Sequence, residues 1–364
     1  MFDGFHVPRD ILQSIQESEN INTLSRCKII STTSQKGKVR LPNSSHYTTL
    51  PLQSQYLEDA ARLVSQRYTA LFQRNPLLPE KYARLDVLLP LLEDVLPAGP
   101  GVAAFEKRQL VGFLSGYLLP EIWGRPGAFS PEWANAAELG DSRRIYEELY
   151  TAQAAAWVDQ GYSAHFISML ANDRAGIEGW HWLGFGMVAA DAIRPLQPVP
   201  EPAHQLDIRP ATPDDVEFIM ALDHGLIRHI TGSPTYYPHE APHERQFYLD
   251  WLQDPANAFW LAFQSAEPIA YMGFGPASDE ACTIIVDDGT TSIPGAFTVQ
   301  AARSSGIASA LLNHGLDWAA RSGYQRCAVD FEPANPLAVR FWLRNFDLVC
   351  VSLARQIFLP TPQK

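Results

Sequence analysis

The sequence predicts an α+β fold, a mixed α/β sheet with helices on both faces, built twice in tandem along one chain. Apolar strand patterns alternate with amphipathic helical patterns over most of the 364 residues, the order that layers helices against a mixed sheet. Five landmarks recur in the same order on either side of one proline-rich stretch. That stretch, "RPLQPVPEPAHQL" at 194–206, packs in four prolines and cannot continue helix or sheet, so it reads as a linker.

The landmarks define the repeat. Pro-Gly-Ala-Phe and a hydroxyl residue stand at 126–130 and 294–298. A helical run holding Trp157 or Trp318 follows, then Gly-Tyr at 161–162 or 323–324. Next come a strand candidate ("SAHFISML" or "QRCAVDF"), Ala-Asn-x-x-Ala at 171–175 and 334–338, and a closing Trp-Leu with a phenylalanine shortly after. The closing residues are Trp182, Leu183 and Phe185 in the first copy, and Trp342, Leu343 and Phe346 in the second. The copies span 47–193 and 207–360, behind a polar segment, 1–46, that lacks periodicity and is expected to be poorly ordered.

In the second copy a strand at "QLDIRPAT" leads into a helix signalled by Thr212, Pro213 and two aspartates in the first turn. "HERQFYLDWLQ" is a second helix, and "FWLAFQ" with "EPIAYMGFG" forms a hairpin across a short polar turn. The strand "AFTV" precedes a helix whose Ala308, Leu311, Leu312, Gly315 and Ala319 share one face. A strand, a helix at "PLAVRFWLRN" and a last strand "LVCVSLARQI" complete the order.

Composition narrows the partners. A net charge of −12 and a pI near 5.3 exclude a general nucleic-acid or anionic-membrane surface. No apolar run approaches the roughly 20 residues needed to span a bilayer, and the N-terminus carries acid where a signal peptide carries base. Cys27, Cys282, Cys327 and Cys350 lie far apart without CxxC spacing or nearby histidine pairs, which suggests neither a metal site nor a disulfide framework and fits reduced thiols in a cytoplasm.

The stretch "TVQAARSSGIASALL", 298–312, places Arg303, two serines and Gly306 between a strand and a helix. Glycine there serves a tight turn; equally, successive amides at a helix start cradle a phosphate. Arg303-Ser304-Ser305-Gly306-Ile307-Ala308, and further on Asn335-x-x-Ala338-x-x-Phe341, resemble the two signatures of the GNAT acyltransferase superfamily. The resemblance implies a tandem of acyl-CoA N-acyltransferase folds with acetyl-CoA as cofactor. It further implies that the fourth and fifth strands of the second copy splay to admit the pantetheine arm against the open edge of Phe297, Thr298 and Val299. Ser304 to Ala308 would then hold the pyrophosphate and Arg303 add positive charge, while Asn335, Phe341 and Trp342 line the far side. For Asn335 a helix N-cap before Pro336 is an equal reading.

The chain departs from the pattern in three places. Trp342 stands where the family commonly has the tyrosine that protonates the leaving thiolate, the glycine before the closing phenylalanine is missing at Asn345, and 289–316 contain no acid. Base candidates are therefore Glu332 and Asp330 on one face of the next strand, with Asp287, Asp288, His224, Tyr236, Tyr237 and His239 as further options. The first copy lacks the phosphate loop, so its expected role is to complete a pseudo-dimer and wall the acceptor pocket. Glu132, Trp133 and Tyr150 are acceptor-side candidates that read better as core or surface, and Trp180, Trp182 and Phe185 read as core. Together these observations predict transfer of an acetyl group from acetyl-CoA to a primary amine of a small molecule, by a monomer built as a pseudo-dimer or by a homodimer. The alternative is a non-catalytic acyl-CoA binder or scaffold.

Overall fold

The computed structural model describes residues 46–200, 206–238, 242–277 and 282–358. The extension expected over 1–46 lies outside the described residues save for His46, as do part of the linker and His239. The first half runs β1 (Thr48–Pro51), α1 (Leu57–Phe72), α2 (Leu85–Ala98), β2 (Val102–Glu106), β3 (Gln109–Leu114), β4 (Tyr117–Ile122), β5 (Arg125–Ser130), β6 (Asn135–Ala137), α3 (Ser142–Asp159), β7 (Ala164–Leu170), α4 (Arg174–Trp182) and β8 (Gly186–Pro195). The second runs β9 (Asp207–Pro210), α5 (Val216–Thr231), α6 (Arg245–Gln253), β10 (Ala258–Gln264), β11 (Glu267–Pro276), β12 (Thr290–Ser292), β13 (Ala296–Thr298), α7 (Ile307–Arg321), β14 (Arg326–Phe331), α8 (Pro336–Asn345) and β15 (Asp347–Gln356).

Local chemistry explains the boundaries. The Asp215 carboxylate accepts from the amide and hydroxyl of Thr212 (2.8 and 2.9 Å) and from both terminal nitrogens of Arg209 (2.7 and 2.8 Å), fixing β9 to the start of α5. Those charged donors hold its carboxyl far below the ordinary range. β10 and β11 pair antiparallel across Ser265–Ala266, whose positive φ values of 50° and 67° give the turn the twist a hairpin needs. Alternation along β11 then decides the layers. Met272 and Phe274 pack with Leu311, Leu312 and Trp342 of α7 and α8 on one face, while Tyr271 meets Ile219, Leu222 and Tyr248 of α5 and α6 on the other.

The α7 face differs from the expected one only at its N-terminal end and in its width. Leu311, Leu312, Gly315 and Ala319 are buried as expected, but Ile307, Ala310 and Leu316 complete the buried set and Ala308 does not belong to it. Gly315 is required by close approach, because a Cβ there would lie 1.9 Å from the Phe274 ring.

The halves are joined by exchange of their last strands. One sheet runs β4-β5-β7-β15-β8-β14-β12-β11-β10-β9, with β13 beside β11, and a smaller one β1-β2-β3-β6. β8, the last strand of the first half, pairs with β14 of the second, while β15 pairs with β7 of the first. The two strangers lie antiparallel to each other at the centre. Among the described residues no helix is long and apolar enough to cross a membrane.

Topology also corrects the alignment of two landmarks. β5 and β12 are the strands parallel to β7 and β14, and β6 and β13 the ones that turn away to β3 and β11. The first Pro-Gly-Ala-Phe lies on β5 and the second leads into β13, so they occupy different places. Likewise Phe185 packs on Trp180 (4.8 Å between centroids) as Phe346 packs on Trp342 (5.4 Å), whereas Trp182, expected in the core, is 72% exposed with Arg143 over its ring.

Candidate functional site

β12 pairs in parallel with β14 through Ser292 and Ala328, and Ile293 donates its amide to the Ala328 carbonyl (3.0 Å). Beyond that point the two part. β13 pairs only with β11, and the rest of β14 only with β8. A cavity of about 530 Å³ opens in the gap, lined by β13, the loop before α7, the first turns of α7 and α8, and the end of α5.

One wall is the exposed edge of β13. The Val299 amide donates to the Ile269 carbonyl and the Gly273 amide to the Gly295 carbonyl (2.9 Å each), so odd-numbered residues turn their backbone groups toward β11. Alternation leaves those of Ala296 and Thr298 facing the gap. This revises the expectation for Phe297 to Val299: Phe297 contributes its side chain, Val299 does not reach the lining, and the usable backbone belongs to Ala296 and Thr298. The Thr298 carbonyl accepts from Arg303 Nε (3.0 Å), which also sits over the Phe297 ring.

The floor is the strand-to-helix turn. Gly306, at φ 85° and ψ 0°, is the N-cap of α7, and Ser304 also has positive φ. Among the described residues no backbone acceptor meets the amides of Ser304 through Ser309; the first bond into the helix runs from the Ala310 amide to the Gly306 carbonyl. Open amides, a helix start and Arg303, Arg340 and Arg344 share one lining, a combination that favours negative charge, on a chain of net charge −12. None of the three arginines forms an ion pair among the described residues. Ser304, Gly306, Ile307 and Ala308 line the cavity; Ser305 instead turns its hydroxyl to the Ala302 carbonyl (2.6 Å).

The far wall is α8. Asn335 caps it, its side chain accepting from the Ala338 amide (3.3 Å), as the N-cap reading expects, and it also lines the cavity with Phe341 and Trp342. The Trp342 indole is buried between Phe341 and Phe346.

The carboxylates weighed as bases are not gathered here. Asp330 and Glu332 lie outside the lining. Burial, then the charge of Glu332, pushes Asp330 up to about 7, and burial raises Glu332. Asp287 is taken by Lys81 (3.5 Å) and Arg326 (3.1 Å), and Asp288 and Tyr236 are exposed. His224 is outside the lining, and Tyr237 packs against Trp123 of the first half. Glu132, Trp133 and Tyr150 are all buried.

Sequence reasoning missed His229, in the last turn of α5. It lines the cavity, and burial, then the Arg303 charge, lowers its pKa against a hydrogen bond with Asn335 that raises it. Nothing in the periodicity separates His229 from His224; only the fold turns one toward the gap. Tyr271, the other uncharged acid in the lining, gives its hydroxyl to Asp223.

The corresponding gap in the first half is bridged. Asn135 on β6 donates from its side-chain nitrogen to the Ser168 carbonyl of β7 (3.0 Å) and accepts from Tyr146 (3.0 Å). Behind it Arg67 and Asp173 form a buried ion pair (3.0 Å), and Asp173 also takes the hydroxyl of Ser142 at the start of α3 (2.7 Å). Asp173 also caps α4, accepting from the Gly176 amide (2.9 Å).

Residues 226–347 match the acetyltransferase (GNAT) family profile, while no curated protein matches the chain. Among solved structures, a GCN5-related N-acetyltransferase from Sphaerobacter thermophilus is similar at a TM-score of 0.53 and 14% identity, over 88% of this chain and 98% of its own. A GCN5-related glucosamine N-acetyltransferase region of a fungal β-N-acetylglucosaminidase gives 0.47 and 12%, over 86% and 38%. A tandem GNAT protein from the clavulanic acid biosynthesis pathway gives 0.43 and 11%, over 86% and 100%. The first likeness concerns the fold.

Proposed function

With residues 226–347 belonging to the acetyltransferase (GNAT) family as premise, we propose that the second half transfers an acetyl group from acetyl-CoA to a primary amine of a small molecule. The observation that carries this reading is the gap between β13 and β14 ending on unbonded amides. It offers an apolar slot for a pantetheine arm and a cationic floor for a diphosphate, so the residues fit the group. When bound, acetyl-CoA supplies the activated thioester.

The chain's own residues do the rest. The amides of Ser304 and Gly306 to Ala308, with Arg303, hold the diphosphate; Ala296 and Thr298 orient the arm, and Asn335 closes the slot. His229, kept neutral by its surroundings, takes the proton an attacking ammonium must lose. Binding and alignment supply much of the rate, since a well-placed amine gains the entropy of an intramolecular reaction. Incubation with acetyl-CoA and a panel of primary amines should release free thiol, and its absence with every amine would count against transfer.

A non-catalytic acyl-CoA binder is the second reading, favoured by the buried Trp342 indole in place of an ionisable hydroxyl and by a lining without carboxylates. It predicts a rise in melting temperature with CoA and no thiol release.

A further inference from the structure

Outside the lining of that cavity, three acidic side chains meet at the seam of exchanged strands, and a fourth, Glu132, stands near them. Asp191 on β8 and Cys350 on β15 are direct cross-strand neighbours, and Cys282 lies against them, its amide donating to an Asp191 carboxylate oxygen (3.0 Å). The two sulfurs and one Asp191 oxygen all lie within 4.8 Å of one another. All three residues are buried, at 0, 0 and 3% exposure.

Glu132 supplies the second observation. It is 2% exposed. One carboxylate oxygen accepts the Ile284 amide (3.0 Å), and the other has no partner. The bonded oxygen sits on the amide of Ile284, two residues along the chain from Cys282, which brings the carboxylate near the trio without making it part of the 4.8 Å group. Among the described residues no lysine or arginine pairs with any of the four; the nearby Arg326 is spent on Asp287 and Thr290. Acids desolvated together without a cation are an arrangement that proteins resolve by neutralising them or by binding a metal.

We propose that Cys282, Cys350, Asp191 and Glu132 bind one zinc ion. Two soft thiolates with two carboxylates suit zinc and disfavour magnesium or calcium. A tetrahedral ion holds its ligand atoms about 3.5 Å apart, so the cluster draws in slightly around it. The balance is simple: two S–H protons, and any on the carboxyls, leave to solvent as four ligand bonds form. The ion clamps the segment at 282–285 to both exchanged strands, with a ligand from β8 and another from β15. Sequence spacing gave no hint of this, since the ligands are 68 to 218 positions apart counted from Cys350.

Reduced, metal-stripped full-length protein titrated with Co²⁺ tests the site. The expected result is an ultraviolet thiolate-to-cobalt band that saturates at one equivalent, is bleached by zinc, survives in Cys327→Ser and disappears in Cys350→Ser. Because Cys350→Ser removes a core residue, Glu132→Gln, which keeps the bond to the Ile284 amide, is the second variant; its affinity for cobalt should fall at least tenfold. No thiolate band in the wild-type protein overturns the assignment, as does a band that persists in Cys350→Ser. Isolation of the wild-type chain with a Cys282–Cys350 disulfide also overturns it, assigning the pair to redox closure.

Discussion

Arg303, Gly306 and His229 each have one function in the proposed reaction, and each is separable by substitution. Gly306→Trp places an indole on a left-handed N-cap beside the open amides, and CoA binding measured by calorimetry should vanish. Arg303→Ala should weaken CoA binding by about tenfold, the value of one charge-assisted contact, with a shallower salt dependence. His229→Gln should leave CoA affinity within a few-fold and lower the transfer rate roughly a hundredfold. The sign of its pH dependence follows from the lowered pKa. The base must be neutral, so the wild-type rate climbs with pH through a midpoint below about 6.5 and is flat by neutrality, and the variant should lose that slope. Gly306 and Arg303 were legible in the sequence because a turn motif is local. His229 was not, because which of two histidines on α5 faces the gap depends on how the helix docks: Gly225 lets α5 approach the Phe297 ring so closely that a Cβ would meet it at 2.7 Å.

At the scale of elements, the sequence located the helices and most strands of the second half but missed β12 and misjudged how β13 presents itself. Whether a strand offers its even or its odd amides to a ligand is fixed by its pairing, and the pairing of β13 with β11 is non-local. The tandem landmarks show the same limit. Chain order survived, yet the two Pro-Gly-Ala-Phe segments sit on non-equivalent strands, the first within β5 and the second leading into β13. Packing on α7 gives a sharper test. Gly315→Ala adds one methyl into the Phe274 ring, so overpacking of about 1–3 kcal/mol outweighs the helix preference for alanine of up to about 1 kcal/mol. The variant should melt lower in urea at unchanged m-value, and CoA binding should weaken with it because the same helix carries the floor of the cavity.

For the molecule as a whole, charge buried in the first half sets the acid limit. His165 is buried, with Nδ1 on the Tyr150 hydroxyl (2.8 Å) and Nε2 on the Tyr162 carbonyl (3.1 Å), a pairing that the neutral ring with hydrogen on Nε2 satisfies. Burial lowers its pKa to about 4. The unfolded chain takes the proton near 6.5, so stability from this group is present above that value and is lost as pH falls through about 4. The loss is on the order of 3 kcal/mol. His165→Gln should flatten stability measured between those pH values.

The crossing of β8 and β15 has a consequence for how such a chain can change over time. Because each repeat carries the finishing edge of its neighbour, neither can be inherited, trimmed or transplanted alone. Expressed apart, residues 46–195 and 206–358 should each precipitate, and co-expression should recover one soluble heterodimer. The first half is thereby bound to the second as the donor of β8, the strand against which β14 is laid.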